Sequence, residues 1–277
     1  MQRKLVVAGG IALLAVVLAV AGWQWWRQRP ASVPAVPVTL APPLEVAPAA
    51  AAPPAVAAIR HPIESMPALP AEPVAAAGAD GVKAALDQLL GTRPVLTHLL
   101  VDDFIGRVVA TVDNLDREHA SPRLWPVQPT PGRFTVGRGA AGEVIAGDNE
   151  ARYRPFVRFV EAIDTQRAVA LYVKLYPQFQ QAYAGLGYPR RYFNDRLVEV
   201  IDSLIATPTP PGPLAVRLLE VKGPLASTQP RTRYEFGDPA LQALPAGQKI
   251  MLRIGPDNAA RLRAKLAEFR RGVARAP

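Results

Sequence analysis

Apolar and polar positions divide the chain into three regions with different patterns. The first contains an apolar run of 19 residues from Leu5 to Trp23, preceded by Arg3 and Lys4. A helix of that length spans about 28 Å, close to the thickness of a bilayer's hydrocarbon core. The tryptophans at the end of the run suit the membrane–water interface. The pattern predicts one transmembrane anchor within residues 1–29.

Two further features of this region bear on whether it is cleaved and on its orientation in the membrane. Ala19-Val20-Ala21 has the small–x–small form of a signal-peptide cleavage site, so a cleaved signal is the alternative. Cleavage there would leave an N-terminus rich in tryptophan, which favours an uncleaved anchor. The basic residues before the run, against Arg27 and Arg29 after it, favour a cytoplasmic N-terminus. We therefore expect a single-pass protein whose body lies outside the cytoplasm.

The second region, residues 30–80, has neither a helical nor a strand period. Residues 30–79 contain 12 prolines and 17 alanines and no aromatic residue. Such a segment cannot bury enough apolar surface to offset the entropy lost on ordering, and its prolines favour extended polyproline II. The pattern predicts a disordered, Pro/Ala-rich linker. A docking strip for a proline-reading partner is the alternative.

The third region, residues 81–277, has the periodicity of a folded body. Apolar residues recur at helical spacing in seven stretches, and alternate as in strands in a few short ones. Asp80 and Asp257 are expected to cap helices, and Pro177 to kink or divide the helix that contains it. The predicted helices are Val82–Leu90, Leu96–Leu115, Asn149–Ile163, Thr165–Leu186, Arg191–Ile205, Pro245–Ile254 and Asn258–Val273. The predicted strands are Phe134–Val136 with Glu143–Ile145, Leu214–Val221 and Thr232–Phe236. The fold class is therefore mainly α (α+β): one multi-helix domain with a small antiparallel β-element, preceded by one transmembrane helix.

The body contains a series of short motifs: Phe104-x-x-Arg107-x-Val109-x-x-Val112-Asp113-Asn114-Leu115, Arg152-Tyr153, Tyr183-x-x-Leu186-Gly187-Tyr188-Pro189, Phe193-Asn194, Ile201-Asp202, Tyr234-x-Phe236-x-Asp238, Gln248-Lys249 and Arg253-x-Gly255-Pro256-x-Asn258-Ala259. In this order they resemble the motifs of one bacterial family, the domain of unknown function 3014. The resemblance extends from about residue 90 to residue 272. It implies an envelope protein with an N-terminal anchor and a variable linker, which here means the inner membrane and the periplasm. It implies no activity.

Composition narrows the chemistry open to this body. The chain has no cysteine, which excludes a disulfide scaffold, a thiolate zinc site, a cysteine nucleophile and a lipidated cysteine. Of the net charge of +9, the body carries +8, with 27 basic and 19 acidic residues. A basic surface fits nucleic acid in the cytoplasm, but a body outside it is not expected to meet nucleic acid. We expect no cofactor and no metal site.

Catalytic motifs are weak throughout the chain. The segment Gly137–Gly142 matches GxGxxG, but no βαβ unit surrounds it, so a hairpin tip is the better interpretation. Asp195, Glu199 and Asp202 share one helical face, which is typical of a solvated or salt-bridged surface. An envelope glycan-acting enzyme would need two such carboxylates facing each other across a cleft. The sequence favours a protein that is not an enzyme and keeps the glycan-acting enzyme as the alternative.

Five residues are the candidate ligand- or partner-binding residues: Arg152, Tyr176, Tyr183, Lys249 and Arg253. The two tyrosines belong to an aromatic stripe with Tyr172 and Phe179, which indicates core packing or, if exposed, a groove for a peptide or a sugar. Lys249 and Arg253 lie four residues apart, a repulsive spacing that calls for partners from elsewhere. One hypothesis is an ion-pair network with Asp113, Asp164 or Asp202. The other is a site for a carboxylate or phosphate group, with Arg152 contributing.

The last predicted helix is amphipathic. Leu262, Leu266, Phe269 and Val273 form an apolar stripe that is expected to pack on the body. Its basic residues could contact anionic lipid headgroups. The sequence as a whole favours an interaction or scaffold module with a protein partner in the envelope. A binder of anionic lipid or of a small anionic ligand is a further alternative.

Overall fold

The computed structural model describes residues 58–63, 79–140, 142–219 and 234–274, all within one compact unit, Pro54–Pro277. The predicted anchor and most of the predicted linker lie outside the described residues. Among the described residues, no helix is both long enough and apolar enough to cross a membrane.

The described residues are mainly helical, as the periodicity predicts. Helix α5 begins where Asp164 accepts a hydrogen bond from the backbone N–H of Arg167 at 2.9 Å. Pro177 lies inside this helix, which continues through it without dividing. The helices are α1 (Ala79–Leu90), α2 (Thr92–His98), α3 (Phe104–Leu115), α4 (Asp148–Glu161), α5 (Thr165–Gly185), α6 (Phe193–Ile205), α7 (Pro239–Gln242), α8 (Ala246–Arg253) and α9 (Pro256–Val273), with a 3₁₀ turn at Pro122–Leu124.

The predicted helix Leu96–Leu115 is wrong as a single element. Helix α2 ends at His98 and α3 begins at Phe104, because the backbone between them forms other hydrogen bonds. The N–H of Leu100 donates to the carbonyl of Pro126 at 2.8 Å, and Leu99 pairs with Val127 in an antiparallel bridge. Helical periodicity does not reveal a hydrogen-bond partner that lies 26 residues away in the sequence.

The main core is formed where α5 meets α3, α6 and α9. It contains the aromatic stripe of α5 together with Phe193 of α6 and Val273 of α9, both of which are completely buried. The apolar stripe of the last helix therefore packs on the body as predicted. This helix begins at Pro256 after Gly255, whose φ of 92° favours glycine, so Gly255 rather than Asp257 occupies the N-cap position.

The β-structure consists of two small antiparallel pairs. Strands β1 (Val136–Gly139) and β2 (Gly142–Ile145) form a hairpin in which Val136 pairs with Ile145. Strands β3 (Val216–Leu218) and β4 (Tyr234–Phe236) pair with Val216 opposite Phe236. A single bridge between Val144 and Ala215 joins the two pairs. The predicted antiparallel β-element is thus confirmed, and Gly137–Gly142 lies in a hairpin rather than in a βαβ unit.

Candidate binding site

Residues 58–63, which belong to the predicted linker, lie bound against the start of α6. We call them the docked segment. The N–H of Arg60 donates to both carboxylate oxygens of Asp195, at 3.2 and 2.9 Å, and the N–H of His61 donates to Oδ1 at 2.7 Å. The N–H of Ile63 donates to the Tyr192 hydroxyl at 2.8 Å, and the Ile63 side chain is 6% exposed. The body therefore holds this segment by its backbone and by one apolar side chain.

Asn194 connects the docked segment to the core. Its side chain is completely buried, and its amide group donates to the carbonyls of His61 and Val273 at 2.8 and 2.7 Å. Its amide oxygen accepts a hydrogen bond from the Tyr172 hydroxyl at 3.1 Å. One side chain thus joins the docked segment, the end of α9 and the aromatic stripe of α5. Loss of Asn194 would leave buried polar groups unpaired on three elements.

The aromatic stripe of α5 is buried, with Tyr172, Tyr176, Phe179 and Tyr183 between 1 and 7% exposed. An aromatic groove open to a sugar or a peptide is therefore wrong, because rings that stack on a ligand must be accessible. The hydroxyl of Tyr176 lies at the core edge, where it accepts from the Asn194 N–H at 3.2 Å and donates to Gln180 at 3.0 Å. Tyr176 serves the site by positioning the backbone of Asn194 and the side chain of Gln180.

Tyr183 is 1% exposed and lines a cavity of about 520 Å³. We call this space the docking cavity, because residues 58–60 form one wall and the α5–α6 loop with the first turns of α6 forms the other. Burial raises the pKa of the Tyr183 phenol, as does the carboxylate of Asp113. Further lining residues are Gln180, Pro189, Arg190, Arg191, Tyr192, Asp195, Arg196 and Glu199.

The three carboxylates on one face of α6 each bind a different group. Asp195 accepts the N–H groups of the docked segment. Glu199 pairs with Arg196 at 3.3 Å. Asp202 accepts a hydrogen bond from Arg270 at 2.9 Å. This confirms the salt-bridged surface that their spacing predicts, and none of the three is paired with another carboxylate across a cleft.

Lys249 and Arg253 lie away from the docking cavity, where α8 meets α7 and β4. The ammonium of Lys249, whose residue is 5% exposed, donates to the carbonyl of Gln242 at 3.1 Å. Arg253 donates to the carbonyl of Tyr234 at 2.9 Å, and its guanidinium lies 4.8 Å from the centre of the Phe236 ring. Arg253 therefore attaches the second β-pair to α8, and Lys249 attaches α7 to α8.

The predicted ion-pair network around Lys249 and Arg253 is wrong. Among the described residues neither cation forms a salt bridge, since Asp113 pairs with Arg117, Asp164 caps α5 and Asp202 binds Arg270. Burial and the neighbouring guanidinium of Arg253 lower the pKa of the Lys249 ammonium. Backbone carbonyls and an aromatic face take the place of carboxylates, and sequence spacing does not reveal either.

Arg152 fixes the loop before β1 to α4. It donates to the carbonyl of Pro131 at 3.2 Å and to the side chain of Asn149 at 3.1 Å. Asn149, 1% exposed, in turn bonds the backbone of Thr135 on both sides. No hydrogen bond or ion pair among the described residues joins Arg152 to Lys249 or Arg253.

The basic residues of α9 are largely engaged within the body. Arg261 binds Glu161, Arg263 donates to the carbonyl of Thr207 at 2.8 Å, Lys265 pairs with Glu268 at 3.2 Å, and Arg270 binds Asp202. Three of these cations, Arg261, Lys265 and Arg270, are therefore paired with carboxylates of the body. In the part of the chain that the structure describes, no three His, Asp or Glu side chains are placed to hold a metal ion.

Sequence reasoning missed the residues that hold the docked segment: Asp195, Asn194 and Tyr192. One signal was present within the predicted linker. Ile59 and Ile63 are the only isoleucines of residues 30–79, and Arg60 is their only arginine or lysine. Two β-branched residues around a basic one interrupt a stretch of proline and alanine, and such a local change in composition indicates a segment that contacts something.

Comparison with known proteins finds one family. The family model described as "Protein of unknown function (DUF3014)" matches residues 104–270. No curated protein and no solved structure matches the chain. The matched region runs from α3 into α9, and includes the α5–α6 wall of the docking cavity but not the docked segment.

Proposed function

The chain belongs to the DUF3014 family of proteins of unknown function, and from that premise we propose that its helical body is a binding module of the bacterial envelope. In this proposal residues 1–29 anchor the protein in the inner membrane with the body in the periplasm. The body binds an envelope protein at the docking cavity. The 19-residue apolar run and the basic residues around it support the anchor and its orientation.

One observation carries the proposal: the body binds six residues of its own linker, and a cavity lies between them and α5–α6. Asp195 satisfies two backbone N–H groups there, as a peptide-binding protein does for an extended ligand. The docked segment also limits the reach of the linker, because only the residues before 58 then separate the body from the anchor.

The geometry gives less support to the two alternatives. A glycan-acting enzyme needs two carboxylates working together, whereas Asp195, Glu199 and Asp202 bind separate groups. A lipid binder needs free basic charge on α9, whereas four of its basic residues have partners inside the body. We assign the protein no catalytic role.

Photo-crosslinking in cells tests the binding module. A photoreactive amino acid at Arg190, an exposed residue lining the cavity, is expected to capture one protein reproducibly. The same residue at Arg93, exposed on α2 and outside the cavity lining, is the matched control and should not capture it. Asp195→Ala, which frees the docked segment, should weaken the capture. Failure to recover a reproducible partner at Arg190 would contradict the binding module.

The orientation is tested separately by fusing alkaline phosphatase to the C-terminus. The enzyme is expected to be active in intact cells, because it folds only outside the cytoplasm. An inactive fusion that is expressed at the same level would place the body in the cytoplasm.

A further inference from the structure

The docking cavity carries positive charge that the described residues do not neutralise. Four arginines line it, Arg60, Arg190, Arg191 and Arg196, against the two carboxylates of Asp195 and Glu199. Arg196 is engaged with Asp116 and Glu199, at 3.2 and 3.3 Å.

The other three arginines form no salt bridge among the described residues. Asp195 accepts backbone N–H groups and forms no ion pair with the Arg60 guanidinium. Arg191 lies over the Tyr188 ring, with 5.5 Å from its guanidinium to the ring centre. A guanidinium held on an aromatic face keeps its N–H donors free at the edge. The cavity therefore presents guanidinium donors without protein acceptors.

Tyr183 adds a hydrogen-bond donor of a different kind. Its ring is fixed by Tyr188 and Phe193, with ring centres 4.8 and 5.4 Å away. The residue is 1% exposed, and it lines the cavity. A phenol that lines a cavity can donate its hydroxyl hydrogen to a bound acceptor.

The charge around the phenol is consistent with such an acceptor. Burial raises the Tyr183 pKa, so the hydroxyl stays protonated and can donate a hydrogen bond. The guanidinium groups of Arg191 and Arg196 act on the same phenol in the opposite direction. Both arginines also line the docking cavity together with Tyr183.

We propose that the docking cavity binds an anionic group, a carboxylate or a phosphate, through Arg60, Arg191 and the Tyr183 hydroxyl. The inference rests on the proposed function and names the chemistry by which the partner is recognised. A guanidinium forms paired hydrogen bonds with both kinds of anion, and a neutral phenol donates one more. The volume of about 520 Å³ has room for such a group with a short stretch of the molecule that carries it.

The affinity of this site depends on whether the docked segment is bound to the body. Arg60 belongs to the segment, whereas Arg191 and Tyr183 belong to the body. An anion that contacts both binds more tightly when the segment is docked, and by linkage it stabilises docking by the same factor. Ligand binding at the cavity therefore favours the docked state of residues 58–63.

The test uses the purified full-length chain in detergent micelles, with inorganic phosphate and acetate as separate probes at constant ionic strength. Binding is followed by NMR shifts of the backbone amides of residues 187–196. At least one probe is expected to bind saturably and to slow tryptic cleavage between Arg60 and His61. Arg191→Gln should weaken binding about tenfold, the effect of losing one charge-assisted pair.

Two further variants separate a site from general attraction to a basic protein. Tyr183→Phe should weaken binding several-fold while leaving the unfolding midpoint unchanged or higher. Arg154→Gln removes an exposed arginine of α4 outside the cavity and should bind like the wild type. Saturation with phosphate alone or with acetate alone identifies which anion the site takes.

Three results would overturn the inference. They are the absence of saturation with both probes, equal binding by wild type and Arg191→Gln, and equal losses in Arg191→Gln and Arg154→Gln. Its failure is distinguishable from failure of the binding module. A crosslinked partner without saturable anion binding removes only the anion site, whereas anion binding without any partner leaves a small-molecule site and removes the binding module.

Discussion

Asp195→Ala is the substitution that tests the docked segment most sharply. It removes the acceptor of two backbone N–H groups, those of Arg60 and His61, and Asp195 itself is not a buried core residue. A hydrogen bond to a charged acceptor contributes about 1.5–3 kcal/mol, and the exposure of Arg60 places this site at the lower end. The loss is therefore about 3 kcal/mol for the two donors.

That loss is large compared with the net stability of docking. The two further hydrogen bonds, from Ile63 to Tyr192 and from Asn194 to His61, contribute about 1 kcal/mol each. Burial of Ile63 adds about 2–3 kcal/mol. The gains total about 7–8 kcal/mol, whereas ordering six residues costs about 6–12 kcal/mol, less where a proline is already restricted. Docking is thus stable by a few kcal/mol at most, and Asp195→Ala should release the segment.

Tryptic cleavage between Arg60 and His61 measures the released fraction. Arg60 is the only arginine or lysine between Arg29 and Lys83, so the fragment that begins at His61 is unique in a mass spectrum. We expect Asp195→Ala to be cleaved at least tenfold faster than the wild type, at the rate of a free peptide of the same sequence. Asp202→Asn, on the same helix but bonded to Arg270, is the control and should not change the rate.

Two results would refute the reasoning. One is a wild-type chain that is cleaved as fast as the free peptide, which would mean that the segment is not held. The other is an Asp195→Ala variant cleaved at the wild-type rate, which would mean that the carboxylate does not hold it.

Three other substitutions test the packing and electrostatics of the body by urea denaturation of the full-length chain. Asn194→Leu should lower the free energy of unfolding by about 3–5 kcal/mol, because it leaves polar groups on three elements without their hydrogen-bond partner. A loss below 1 kcal/mol would contradict the connecting role of Asn194. Gly247→Ala should cost about 1–3 kcal/mol, since its Cβ would lie 2.6 Å from a Leu204 methyl and 3.1 Å from the Leu115 carbonyl; an unchanged midpoint would show that α8 can shift. Lys249→Met should be neutral or stabilising at pH 7. Because burial lowers the pKa of Lys249 below that of the unfolded chain, the wild type should gain stability relative to this variant as pH rises toward 10.5, and a pH-independent difference would contradict the assignment.

The helices were predictable where periodicity and local caps agree. Helix α5 has Asp164 as its cap and an unbroken apolar stripe, so its beginning was predicted to the residue and its end to within one. The break before α3 was not predictable, because it depends on a carbonyl of Pro126 beyond the helix itself. Local pattern specifies local hydrogen bonds and carries little information about distant ones.

The candidate site was predictable only in part. The spacing of Asp195, Glu199 and Asp202 indicates a face that binds cations, and two of the three do. Asp195 instead binds the backbone of residues more than 130 positions away. Because every residue except proline has a backbone N–H group, the sequence does not reveal which of them a carboxylate will bind. The spacing of Tyr176 and Tyr183 indicated core packing or, if the rings were exposed, a groove; both rings are buried, and the Tyr176 hydroxyl binds Gln180 at the core edge.

Hydrogen exchange of the full-length chain in lipid nanodiscs tests the central claim most directly, namely that residues 58–63 form part of the body and one wall of its binding site. The account predicts that the amides of Arg60, His61 and Ile63 exchange more slowly than those of residues 30–57, and that Asp195→Ala abolishes the difference. Exchange of residues 58–63 at the rate of a free peptide in the wild type would contradict the account.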